Sequence, residues 1–272
     1  MNHISHNGKI ISESEPVLHF NNRSFRYGDG FFETIRVVDG SIPLHTLHSK
    51  RVHESKVLLN YSPLNISITN IFNEAIELCK LNNCGKNARV RLSFYNGNGS
   101  VFDSNTETGY LIEATTLHAI NPLLDNNGLI IGLCPDIKKS CDQFANIKSA
   151  NYLFSRRGVQ YAQENNWDDA LILNQHNHIC ESTIANLFWI KNKTVYTPPL
   201  TEGCVMGVMR SYIVQQLPVK EAICTIQTLL DADEVFLSNA VTGIRWVRQF
   251  QDVFYTNTMS KNIYRIVIEP LF

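Results

Sequence analysis

The sequence predicts a two-domain α/β protein, with a smaller N-terminal α+β domain and a larger, β-rich C-terminal α/β domain. Three observations predict it. The first third alternates short strand-like runs with two long helical repeats, a polar proline-containing stretch interrupts the chain near residue 120, and apolar strand-like runs spaced by helical segments follow. At 272 residues the chain is long enough for two modest domains.

The elements follow in order. His3 to Ile11 turns at Asn7-Gly8, a hairpin signal. Phe31 to Val38 alternates as a strand and turns at Asp39-Gly40. Helical periodicity runs from Leu47 to Leu59 and from Ile66 to Leu81. Ala88–Phe94 and Tyr110–Ala114 read as two strands joined by a Gly/Asn-rich loop at 95–109, which closes an α+β domain at 1–116. Residues 117–127 hold a proline and several asparagine or aspartate residues, the composition of a linker. In the C-terminal domain, 128–272, Leu129–Cys134 reads as a buried strand and Asn151–Asn165 as a helix. Strands are expected at Ala170–Leu173, Leu187–Ile190, Thr194–Thr197 and Glu234–Leu237, with a helix at Gly207–Gln216.

Composition removes several function classes. Hydrophobic residues make up 44% and charged residues 18%, with a net charge of −1, so nothing in the balance suits nucleic acid or an anionic membrane. The seven cysteines are scattered without a Cys-x-x-Cys pair, which fits reduced thiols rather than a disulfide framework or a zinc site. The nine histidines form no metal-binding pattern, and Ser182 lacks a Gly-x-Ser-x-Gly frame. No leader pattern opens the chain and no apolar run nears the ~18 residues of a membrane span. A cytoplasmic enzyme acting on a small molecule is the expectation.

The chemistry concentrates in three segments. Lys148 stands in Phe-Ala-Asn-Ile-Lys-Ser-Ala-Asn-Tyr-Leu, and a lysine alone is most often a solvated surface charge. Here Asn146-Ile147 is expected to close a strand, so that Lys148 projects into a cavity where desolvation favours the neutral amine. Glu181 follows by 33 residues, after the turn at 174–178 and ahead of an apolar strand, with Ser182, Thr183 and Asn186 to hydrogen-bond a partly buried carboxylate. Gly203 to Arg210 contains a glycine-punctuated helix start, where Gly207 allows close backbone approach and Val208 and Met209 offer amides to an anion. An amine, an acid and an anion hole are the three parts that a pyridoxal phosphate site requires: a Schiff-base partner, a partner for the pyridine nitrogen, and a phosphate cradle. Arg51 is the candidate counter-charge for the phosphate, and Tyr152 could aim its hydroxyl at the cofactor's phenolate oxygen. For Tyr27–Arg36 a structural turn and an active-site wall are equally good readings.

With these residues in place, the chain resembles the fold-type IV pyridoxal phosphate enzymes. That class contains branched-chain aminotransferase, D-amino acid aminotransferase and 4-amino-4-deoxychorismate lyase. The matching motifs run in order: Tyr-Gly-Asp-Gly-Phe-Phe-Glu-Thr-Ile-Arg at 27–36, His48-x-x-Arg51, Ile-Lys-Ser-Ala-Asn-Tyr-Leu at 147–153, Glu-x-x-x-Ala-Asn-Leu-Phe at 181–188, Thr-Pro-Pro-Leu at 197–200, Gly-Val-Met-Arg at 207–210, and Ala-Asp-Glu-Val-Phe-Leu-Ser-Asn-Ala at 232–240. The resemblance implies a two-domain homodimer with pyridoxal 5′-phosphate at the domain interface. Lys148 would be the Schiff-base lysine, Glu181 the partner of N1, and Tyr152 a neighbour of O3′. Arg51, Gly207, Val208 and Met209 would hold the phosphate, with Asn186 and Ala240 also against the cofactor. Met209 within Gly-Val-Met-Arg, and Ser238-Asn-Ala, resemble the lyases of the class, which convert 4-amino-4-deoxychorismate to 4-aminobenzoate and pyruvate for folate synthesis. Two departures, Tyr-Asn-Gly-Asn-Gly-Ser-Val at 95–101 and Ile-Arg-Trp-Val at 244–247, keep a branched-chain or D-amino acid aminotransferase using 2-oxoglutarate as the alternative. In the lyase reading Thr34 is the candidate proton donor to the departing group.

Overall fold

The structure, a computed structural model, describes residues 2–103, 107–118 and 127–272. The chain forms two compact units: Met1–Ile120 with Lys148–Asn151, and Asn121–Ile147 with Tyr152–Phe272. Residues 119–126, most of the expected linker, lie outside the described residues.

In the first unit β1 (His3–His6) and β2 (Lys9–Ser12) form the expected hairpin, with Asn7 at φ 51° and Gly8 at φ 84°. Positive φ at both turn residues is what a tight hairpin matching strand twist needs. A short helix, α1 (Arg23–Tyr27), was not legible from periodicity because it spans little more than one turn. Asn22 caps it by accepting from the amides of Ser24 and Phe25, and Gly28 at φ 68° ends it. Then come β3 (Gly30–Val38), α2 (His45–Leu58), α3 (Ile68–Leu81), β4 (Asn87–Asn96) and β5 (Thr108–Thr116). The strands make an antiparallel sheet in the order β2-β1-β5-β4-β3.

Strand parity divides the residues of β3. Phe31, Ile35 and Val37 are buried with Val90, Leu92 and Phe94 of β4, on the face where α2 lies against β3 and α3 against β5. Phe31 stacks on Phe94 with ring centroids 4.7 Å apart. Phe32, Thr34 and Arg36 point to the opposite face, joined there by Arg91, which pairs in register with Thr34.

The second unit opens with β6 (Leu129–Lys139), which runs past the expected end at Cys134. The strand resumes after a register shift against its neighbour between Cys134 and Lys138, and Lys139 then pairs with Asn174. The expectation that Asn146-Ile147 close a strand is corrected: Gln143–Asn146 is a 3₁₀ turn. Asp142 caps it, accepting from the amides of Phe144 at 2.8 Å and Ala145 at 3.2 Å, which draws the chain out of extended geometry. After four residues belonging to the first unit, α4 (Leu153–Glu164) begins with Tyr152 at its N-cap. Next are β7 (Asp169–Asn174), β8 (Ile179–Ser182), β9 (Asn186–Lys191), β10 (Thr194–Thr197), α5 (Val208–Gln216), β11 (Val219–Glu221), α6 (Ile226–Leu230), β12 (Glu234–Asn239), β13 (Gly243–Phe250), β14 (Val253–Phe254) and α7 (Thr258–Ile263).

The sheet order is β11-β10-β9-β12-β13-β6-β7-β8, with β14 paired to β13. The β13/β6, β6/β7 and β10/β11 pairs are parallel, and the others antiparallel. One face buries Leu129, Leu171, Leu187, Trp189, Val235 and Val247 in a common core. Alternation puts Asn186, Phe188, Phe236 and Ser238 on the other face, with Phe188 and Phe236 stacked at 4.9 Å.

Between β10 and α5 the chain turns at Gly203, at φ +85°, where an added Cβ would strike the carbonyl oxygen of Ser140. Gly203→Ala is therefore expected to cost about 2–3 kcal/mol of stability. The check is a lower urea midpoint at unchanged denaturant slope.

Candidate active site

The first unit positions Lys148. Its carbonyl accepts from the amide of Phe32 at 2.9 Å, Ser149 bridges to Phe31, and the Ala150 amide donates to the Gly30 carbonyl at 2.8 Å. Residues 148–150 thus form an extra rung along the start of β3, so the lysine's place is set by main-chain bonds rather than by a flexible loop. Its Nζ lies 4.8 Å from the centroid of the Phe32 ring, a cation–π distance. The Arg91 guanidinium carbon lies 3.7 Å from the same centroid. Thr34, half-buried, is the next residue along β3 on this face. Arg36 follows it, bonded through Nε to Asn87 Oδ1 at 3.0 Å. Phe32 and Arg91 were not singled out from sequence. Parity along Phe-Phe-Glu-Thr-Ile-Arg was the signal for Phe32.

The turn before β3 is braced by Asp29. Its carboxylate accepts from Tyr61 Oη at 3.1 Å and Asn96 Nδ2 at 3.1 Å, and pairs with Arg23 at 2.9 Å. The 27–36 motif is thus a built turn leading into the strand that residues 148–150 pair with.

Arg51 has a partner that sequence reasoning missed. Glu33 points from β3 toward α2, and its carboxylate accepts from Arg51 Nε and Nη2, both at 2.6 Å. His48 Nδ1 lies 2.7 Å from the same carboxylate. All three residues are buried. Burial alone would raise the Glu33 pKa, but the Arg51 charge and the bonds from His48 and Arg51 overcome it and hold it at about 2. A lone glutamate among Phe31, Ile35 and Val37 on the apolar parity of a strand was the available sign that a cation waits opposite.

The second unit positions Glu181. On β8, opposite Ile172 of β7, it is buried, and its Oε2 accepts from the Val205 amide at 2.9 Å. Oε1 is bonded by Lys139 Nζ, likewise buried. Lys139 also donates to the Ala145 carbonyl at 3.3 Å and sits 4.8 Å from the Phe154 ring centroid. Burial works against the ammonium, yet the Glu181 charge outweighs it and keeps the Lys139 pKa above the usual lysine value. Nothing in Asp-Ile-Lys-Lys-Ser distinguishes Lys139 from Lys138. The bulge of β6 does that.

The 205–210 loop is built against β9. Asn186 Nδ2 donates to the Val205 carbonyl at 2.8 Å, and a Cβ on Gly207 would collide with Asn186 Oδ1. Gly207 is the N-cap of α5 and offers no side-chain acceptor, so the first-turn amides of Val208 and Met209 have no acceptor inside the helix. In the next strand Ser238 pairs with Asn186, and its buried hydroxyl has no hydrogen-bond partner among the described residues. Just beyond, Asn239 Oδ1 accepts from the Val241 amide at 3.0 Å and the Thr242 amide at 2.8 Å, and Ala240 lies in that turn. Tyr152 Oη donates to the Thr183 carbonyl at 3.3 Å, and burial raises its phenol pKa. Asp169 accepts from the Thr183 amide at 3.2 Å and hydroxyl at 2.6 Å, fixing the turn after Glu181. Burial pushes the Cys204 thiol up to about 12, so it is no nucleophile at neutral pH.

The second unit thus collects Glu181, Tyr152, Asn186, Gly207, Val208, Met209 and Ala240, and the first holds Lys148, Thr34 and Arg51.

The family model for amino-transferase class IV matches residues 30–250, and the chain belongs to that family. It is 27% identical over 265 residues to the aminodeoxychorismate lyase of Bacillus subtilis (strain 168), an alignment covering 92% of this chain and 87% of that protein. It is 28% identical over 242 residues to the D-alanine aminotransferase of Staphylococcus haemolyticus, covering 86% and 83%. The solved branched-chain amino acid aminotransferase of Escherichia coli superposes with a TM-score of 0.87 at 21% identity, covering 97% of this chain and 92% of that one. The fold is that of these enzymes.

Proposed function

We propose that the chain is a pyridoxal phosphate-dependent lyase that converts 4-amino-4-deoxychorismate to 4-aminobenzoate and pyruvate. Family membership makes pyridoxal phosphate the cofactor, and the residues present fit it. A buried carboxylate suits a protonated ring nitrogen, and a glycine-shaped helix start, whose first amides have no acceptor inside the helix, suits a phosphate. Ser238 Oγ is a buried hydroxyl awaiting an acceptor or donor. Lys148 would tether the cofactor covalently, Glu181 face the ring nitrogen, and Tyr152 lie near O3′. The Val208 and Met209 amides would take the phosphate, with Arg51 adding charge. Gly207, Asn186 and Ala240 shape the same cradle.

When bound, the cofactor withdraws electrons from the substrate carbon that bears the nitrogen, which acidifies its proton. Lys148 then acts as the base that removes that proton. Thr34 delivers a proton to the departing enolpyruvyl group, pyruvate leaves, and the ring becomes aromatic. Arg91 and Arg36, on the same sheet face, suit a substrate with two carboxylates.

The observation that carries the lyase reading is Thr34: a hydroxyl stands on the face of β3 where the Lys148 ammonium overlies Phe32. Elimination requires a proton donor to the leaving group, and transamination moves its proton with the lysine alone. Thr34→Val is expected to lower pyruvate formation roughly 10²-fold while the cofactor's visible spectrum stays unchanged. An unchanged rate removes this support. The alternative, an aminotransferase for branched-chain or D-amino acids with 2-oxoglutarate, is supported by the likeness to the D-alanine aminotransferase of Staphylococcus haemolyticus.

A homodimer is part of the proposal. Phe20, Phe25 and Phe102 are 76%, 75% and 94% exposed on the first unit, and such side chains are suited to a second copy. No helix among the described residues is long and apolar enough to cross a membrane.

A further inference from the structure

Lys139 is the buried amine that the proposed reaction does not use, and it grips the one carboxylate assigned to the cofactor ring. We propose that Lys139 is the built-in counter-cation of Glu181, sharing that carboxylate with the cofactor's ring nitrogen and so limiting how strongly the protonated nitrogen is held. The inference rests on the assignment of Glu181 to that nitrogen.

Three features separate Lys139 from a passing surface lysine. It is 6% exposed and Glu181 4%, so neither charge is shielded by water. Its ammonium is oriented by three groups at once, Glu181, the Ala145 carbonyl at 3.3 Å and the Phe154 ring at 4.8 Å. Its backbone is aimed there by the irregularity of β6 between Cys134 and Lys138. The other Glu181 oxygen is fixed by the Val205 amide at 2.9 Å, so the carboxylate is held at both ends.

Two consequences follow from the charges. Without cofactor, Lys139 compensates a carboxylate that would otherwise be buried alone. With cofactor, two cations draw on one anion and repel each other, which lowers the basicity of the ring nitrogen. A lysine that merely filled space would do neither.

The test compares the dissociation constants of reconstituted protein for pyridoxal phosphate and for 1-deazapyridoxal phosphate, in which a C–H replaces the ring nitrogen. The ratio isolates the nitrogen's charge, because tether and phosphate are the same. Lys139→Met is expected to raise the preference for pyridoxal phosphate about tenfold over wild type, and Lys139→Arg to return it to the wild-type ratio. Lys139→Gln, which keeps a donor to Glu181 and with it the packing, is expected to move the ratio in the same direction as Lys139→Met. Equal preference in wild type, Lys139→Met and Lys139→Gln, with Glu181→Gln still abolishing it, overturns the role of Lys139 alone. If wild type shows no preference and Glu181→Gln changes nothing, the assignment of Glu181 itself is overturned.

Discussion

Lys148→Ala is expected to lower turnover by roughly 10⁴-fold, the upper range for a positioned acid–base group. Borohydride should trap cofactor on the wild-type protein at the peptide containing residue 148, and trap none on the variant. Cofactor should still bind the variant through its phosphate, because the α5 helix start and Arg51 are untouched. The fold should persist, since Lys148 is tied to β3 through its carbonyl, which alanine retains. Turnover within tenfold of wild type would move the tether to another amine, and Lys139 would be the first to examine.

The largest stability effect is expected at Glu33. Glu33→Gln leaves Arg51 and His48 facing a neutral amide in a buried site, and removing one partner of such a pair typically costs about 3–5 kcal/mol. The same carboxylate gives the protein an acid limb. The folded pKa, about 2, lies below the ordinary value of 4.5. Its stabilisation is therefore complete above pH ~4.5 and is lost as pH falls toward 2, a loss of about 3 kcal/mol. Chemical denaturation from pH 6 to pH 2 should show this fall in wild type. In Glu33→Gln that contribution should be missing at every pH. Parallel curves for the two proteins would mean that Glu33 is not the group being titrated.

Much of the architecture could be read before the structure. Strand alternation and helical spacing located β3, β4, α2, α3, β7, β9 and β10 because each element is long enough, or apolar enough, to show its period. The pieces that escaped were decided elsewhere. α1 is made by the side chain of Asn22 and a glycine, not by periodicity. The 3₁₀ turn before Lys148 is made by Asp142. β13 begins at Gly243, at φ +70°, and its alternation was hidden by two arginines and a tryptophan. The candidate site followed the same rule. Lys148, Glu181 and Gly207 could be proposed from sequence because each carries a spacing or a turn that chemistry requires. Lys139 and the Glu33–Arg51 bond were not, because they depend on which side chains tertiary packing brings together. Ion pairs of this kind have no sequence period.

What the protein makes distinguishes the lyase from the aminotransferase most directly. Purified holoenzyme should be given 4-amino-4-deoxychorismate with no amino acceptor, and in parallel leucine or D-alanine with 2-oxoglutarate. A lyase gives equal amounts of pyruvate and 4-aminobenzoate from the first, and no sustained formation of glutamate from the others. Steady glutamate production, with no pyruvate released from 4-amino-4-deoxychorismate, would contradict the lyase reading.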